Sequence, residues 1–197
     1  MRDVMDLYDE PDRERMKALA ALDDRVDRRH AAIKLYLAKI PHQNMSDWEK
    51  ARTQELLSAC VKLEQVGDII VRNMLVHVEK KLSRGLTFTP EGWKELTSLH
   101  GSVLSNARLA FNVLVSRDAA TARRLVQEKD RLRDVERDTS RSHFERLREG
   151  TAKSLETSTL HLDTIRDLKQ INSLLAAIAY PVLEEHGLLG ASRLKAI

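Results

Sequence analysis

Two pairs of acidic residues, Glu64 with Asp68 and Asp163 with Asp167, are each spaced four apart in stretches of helical periodicity. Residues four apart project from one helical face, so each pair stacks two carboxylates. Like charges at that spacing destabilise a bare helix. The flanking residues raise the cost: Leu63, Val66, Ile70 and Met74 surround the first pair, and Leu160, Ile171 and Leu174 lie beside the second. Carboxylates at the edge of a core need a raised pKa, a Lys or Arg partner, or a cation between them. An oxygen-rich site without cysteine ligands suits Mg, Mn, Fe or Ca, and helical bundles build such sites from inward-facing acids on adjacent helices.

The two pairs belong to a repeat. Leu63-Glu64-Gln65-Val66-Gly67-Asp68 with Asn73, and Leu162-Asp163-Thr164-Ile165-Arg166-Asp167 with Asn172, place acid, acid and amide in register at an offset of 99 positions. The chain therefore contains two related halves. Further acids at the same spacing precede each motif, Asp23 with Asp27 and Asp134 with Asp138, and complete the candidate metal set. Neutralisation by neighbouring Lys or Arg stays open beside the metal reading, and Arg166 stands next to the second pair. Cys60, four residues before Glu64, reads as a small apolar residue.

The elements that carry these residues are helical. Seven Gly, four Pro and 4 % aromatics in 197 residues leave too little turn punctuation and β-favouring bulk for a sandwich or barrel. Five long helices are expected. The first runs from about Pro11 to Ile40 and stops at Pro41, and the second runs from a capping box at Ser46 and Glu49 to about Leu82. The third opens at Thr89-Pro90 and reaches about Val115, the fourth runs from Asp118 to Gly150, and the fifth from about Ser154 to Glu185 with Pro181 kinking its last turn. Long helices joined by short loops pack as an all-α antiparallel bundle.

Charge and motifs narrow the function classes. The 33 Lys and Arg exceed the 30 Asp and Glu by three, and the signs alternate, which argues against a nucleic-acid surface. The basic stretch from Arg117 to Arg148 reads as a solvated helix with pairs one turn apart. Trp48, Trp93, Phe111, Phe144 and Tyr180 read as core or staple residues. A phosphate-cradling glycine loop, a G-x-S-x-G elbow and an H-E-x-x-H pair are all missing from the sequence, so no residue is assigned a catalytic role. The single histidines read as hydrogen-bonded structural residues rather than ligands. Cys60 has no intramolecular partner, which points to a reducing compartment.

The L-E-x-[VI]-G-D segment late in a helix, repeated about 100 residues on, resembles the PhoU family of phosphate-homeostasis regulators. The stretch from Glu156 to Ser173 is most similar to the cytoplasmic PhoU-like domain at the C-terminus of bacterial Na/Pi cotransporters. The resemblance implies two PhoU-like halves, 1–85 and 86–197, the first lacking its first helix because residues 1–10 are too short to supply it. Val4, Met5 and Leu7 then mark either a docking site at the open end or a solvated terminus. It also implies a carboxylate-bound divalent or iron-type metal on the eight acids named above. The expected function is a non-enzymatic domain that modulates phosphate transport by contacting a membrane transporter domain at the inner face of the cell membrane, as part of a larger protein. A homodimer is a further expectation. The alternatives are a free-standing adaptor of a transporter or sensor kinase, and a carboxylate-bridged metalloenzyme.

Overall fold

In the computed structural model, which describes residues 1–40 and 45–189, no strand is formed among the described residues and eight α-helices make up the fold. These are α1 (Arg2–Asp9), α2 (Arg13–Lys39), α3 (Asp47–Asp68), α4 (Leu75–Arg84), α5 (Pro90–Ser116), α6 (Ala119–Arg148), α7 (Ala152–Ala176) and α8 (Tyr180–Glu185). A π-helical segment, Ile69–Met74, joins α3 to α4. Pro41, expected to stop the first long helix, lies outside the described residues, as do 190–197.

Caps set most boundaries. Ser46 and Glu49 form a reciprocal capping box at the start of α3, with Ser46 N–H donating to Glu49 Oε2 at 2.8 Å. Thr89 Oγ1 accepts from Gly92 N–H at 3.1 Å ahead of Pro90, and Asp118 accepts from Thr121 N–H at 2.7 Å. Gly85 ends α4 at φ 62°, a left-handed conformation that costs a residue without Cβ little.

Helices α5, α6 and α7 pack as a three-helix bundle, α2 and α3 form a hairpin, and α7 lies against α3 and the π segment to join the halves. Leu96, Leu99, Val103 and Val113 of α5, Leu125 of α6, and Leu168 and Ile171 of α7 are fully buried. Each such leucine contributes about 1.5–3 kcal/mol of burial. Burial is uneven, for α5 buries nine residues and α2 only Leu19 and Leu37.

Three expectations are corrected. Residues 2–9 form helix α1, whose Val4, Met5 and Leu7 are at most 5 % exposed, because its apolar face docks against α2, α4 and α5. The last long helix ends at Ala176. Pro181 has no N–H for the Ala177 carbonyl and its ring crowds that carbonyl, so the chain restarts as α8. Trp48, Phe111 and Phe144 are more than half exposed, not core.

Candidate functional site

On the first motif, Glu64 and Asp68 sit on the side of α3 that meets α2. Gly67 permits the close crossing: a Cβ there would lie 2.6 Å from Asp23 Oδ1. Asp23 is partly buried, and burial, reinforced by the charges of Asp27 and Asp68, pushes its pKa up. Asp68 pairs with Arg72 Nε at 2.9 Å, one turn along on the π segment. The structure thus brings Asp23, Asp27 and Asp68 into one field with a single guanidinium. Glu64 makes no hydrogen bond or ion pair among the described residues, and it helps burial raise the pKa of half-buried Cys60.

The second motif is deeper. Asp167 is completely buried, and burial raises its pKa. Asn73 Nδ2, delivered from the π segment of the other half, donates to Asp167 Oδ1 at 3.0 Å. Arg166 reaches Asp163 at 2.9 Å and Asp167 at 3.7 Å, so a guanidinium serves this pair too. His77 Nδ1 stands 3.7 Å from Asp167 Oδ2, and burial holds the imidazole pKa below its usual value.

A chain of hydroxyls completes this seam. Thr164 donates its proton to the Leu160 carbonyl at 2.7 Å, so its oxygen is free to accept from Tyr8 Oη at 3.0 Å. Tyr8 Oη then accepts from His77 Nδ1 at 3.1 Å, which assigns the Nδ1–H tautomer. Burial pushes the Tyr8 phenol pKa upward. The Tyr8–His77–Asp167–Asn73 seam therefore ties α1, the π segment and α4 to α7. It contains no exposed nucleophile, and it is a buried network that fixes how the halves meet, with Asp167 Oδ2 left without a hydrogen-bond partner.

The repeat is broken at its amides. Asn73 crosses between halves, whereas Asn172 accepts from Asn106 Nδ2 at 2.9 Å within the second half.

Asp134 and Asp138 do not join Asp163 and Asp167. Their side chains are 70 % and 71 % exposed and face Arg137 and Arg141 at 3.5 and 3.6 Å, while the same helix turns Leu132, Thr139 and His143 inward. Among the described residues, no three of His, Cys, Asp and Glu are gathered to hold a metal ion. With Asp68, Asp163 and Asp167 each facing arginine, the acids as placed do not fit a metal cluster.

A third buried group lies outside both repeat motifs. His161 stacks on His143 with ring centroids 4.5 Å apart, and its Nε2 lies 3.4 Å from Glu95, which Arg146 grips through two hydrogen bonds of 2.8 and 2.6 Å. Burial, with His143 and Arg146 adding to it, brings the His161 pKa down to about 3. A Cβ at Gly92 would touch this ring at an ordinary 3.5 Å and would crowd Thr89 Oγ1 instead, at 3.1 Å.

The family model described as PhoU domain matches residues 96–182, which span most of α5, all of α6 and α7, and the start of α8. Over residues 96–182 the chain is similar to PhoU domains. The fold of the wider chain agrees: the crystal structure of PhoU from Pseudomonas aeruginosa superposes with a TM-score of 0.84 over 94 % of this chain and 88 % of that one, at 15 % identity. Among curated proteins, the chain is 41 % identical over 179 residues to the Salmonella typhimurium protein named "Putative inorganic phosphate export protein YjbB" and 38 % identical to its namesake in Escherichia coli K12. Each alignment takes in 91 % of this chain and 33 % of the relative, so the chain spans a third of the length of these relatives.

Proposed function

We propose that this chain is the PhoU domain of a longer protein that moves inorganic phosphate across a membrane, and that it regulates that movement from the inner face. The carrying observation is the 41 % identity, over 91 % of the chain, to a relative named for phosphate export. Among the described residues no helix is long and apolar enough to cross a membrane, so transport itself falls to the remainder of such a protein. The relatives' names favour export over the sodium-coupled uptake expected from sequence. The domain acts through packing, because its buried polar groups join the two halves and none of them forms an open reaction centre.

Fractionation of source cells with an antibody to this chain tests the reading, together with release of radiolabelled phosphate from cells with and without the gene. A membrane band well above 22.5 kDa and slower release in the deletion strain are expected. A band of 22.5 kDa away from the membrane would overturn the transporter-domain reading in favour of a free-standing adaptor.

A further inference from the structure

An open cavity of about 700 Å³ lies between α5 and α6, away from both repeat motifs and from the buried seam. Each helix gives it one face. Ser98, Ser102, Ser105 and Leu109 of α5 are spaced four, three and four residues apart, and so are Arg124, Glu128, Arg131 and Val135 of α6. Arg108 joins them from α5, and buried Leu132 lies beneath. The charges along these walls do not balance. Glu128 holds Arg131 at 2.8 Å, while Arg108 and Arg124 are in no ion pair among the described residues. Further along α6, by contrast, Arg137 and Arg141 each face an acid, at 3.5 and 3.6 Å. Three guanidiniums against one carboxylate leave the cavity with two positive charges in excess.

The rest of the lining says what kind of anion fits. Ser102 and Ser105 donate their hydroxyl protons to the carbonyls of Ser98 and Gly101, at 3.2 and 3.0 Å, which leaves lone pairs on their oxygens for a ligand's own donors. Leu109, Leu132 and Val135 add apolar surface. Gly101 keeps the cavity wide: a Cβ there would meet nothing within 4 Å, so neither packing nor backbone geometry calls for a glycine that weakens the helix interior. We propose that this cavity binds a nucleotide. Its phosphates lie against Arg108, Arg124 and Arg131, whose planar forks match phosphate oxygens, its sugar hydroxyls donate to the serines, and its base rests on the apolar side chains. The volume is within the range of about 300–1,000 Å³ that small-molecule sites occupy. Inorganic phosphate, by comparison, would engage the guanidiniums alone.

Isothermal titration of the 197-residue chain with ADP, GDP and inorganic phosphate tests this. At least one nucleotide is expected to bind with a Kd below about 1 mM and at least about tenfold more tightly than inorganic phosphate. Arg124→Gln should weaken that binding by about tenfold or more. Gly101→Trp, which fills the cavity and leaves every arginine in place, should remove it. Arg133→Gln, on the opposite face of α6, should change it by less than about twofold. Circular dichroism checks that each variant keeps its helices. No binding of either nucleotide up to about 5 mM would overturn the proposal. So would weakening by Arg133→Gln equal to that by Arg124→Gln, the mark of a diffuse basic surface, and inorganic phosphate binding as tightly as the nucleotides would overturn it in favour of a bare phosphate site. Binding is read on this chain alone, so its failure leaves the transport reading standing.

Discussion

Acid should unfold this protein through its buried histidines, and His161→Gln isolates the strongest contribution. The folded His161 pKa of about 3 lies below the ordinary value of 6.5, because burial penalises the imidazolium. Its contribution to stability is therefore complete above pH 6.5 and is lost as the pH falls from 6.5 toward 3, where only the unfolded chain takes up the proton. One proton of difference changes stability by about 1.4 kcal/mol per pH unit, so a drop of about two units below the unfolded pKa costs roughly 2.5 kcal/mol at this residue alone. His77, His100 and His143, also lowered by burial, act in the same direction. Buried Asp167 acts oppositely, since its raised pKa lets the folded state hold a proton that the unfolded state releases. Urea unfolding followed by circular dichroism at several pH values between about 7.5 and 4.5 reads the slope directly. The His161→Gln variant should show a slope shallower by about 1 kcal/mol per pH unit. An unchanged slope would show that His161 accepts its proton in the fold and that the burial argument is wrong.

Asn73→Ala should cost about 1–3 kcal/mol in urea unfolding, because it leaves the Asp167 carboxylate without its donor across the halves; a loss below about 0.5 kcal/mol would mean that the seam does not hold the halves together. Gly67→Ala should change stability by no more than about 0.5 kcal/mol, since a helix-propensity gain of about 1 kcal/mol offsets displacement of the Asp23 carboxylate; a loss above about 2 kcal/mol would mean the α2–α3 crossing cannot relax. Dialysis against a chelator should leave the thermal midpoint unmoved. A fall of several degrees that Asp68→Asn reproduces would instead establish a resident metal at the first motif.

The parts of the fold legible in the sequence were those written in local chemistry. Ser46, Thr89 and Asp118 each carry a cap within three or four residues, and α3, α5 and α6 start where those caps place them. The π segment at Ile69–Met74 was not legible, because π turns are rare and no local pattern in these six residues marks one, and only the neighbouring half fixes where Asn73 points. Helix α1 was missed because eight residues are too few for periodicity to register, and tertiary burial stabilises it instead.

The candidate site divides in the same way. The repeat located Asp167 and Asn73, and the arginine beside the second pair was readable as Arg166. The spacing of Asp134 and Asp138 was right for a pair but silent about direction, and core demands by Leu132 and His143 turn the pair outward. Tyr8, His77 and Thr164 meet across separations of 69 and 156 residues, which no local pattern encodes.

Phosphate release measured in cells carrying the full-length natural gene, beside cells carrying the gene with this domain deleted and present in the membrane in equal amount, tests the central claim most directly. The account predicts that removing the domain changes the release rate while the transporter remains in the membrane. Identical rates with and without the domain would contradict it.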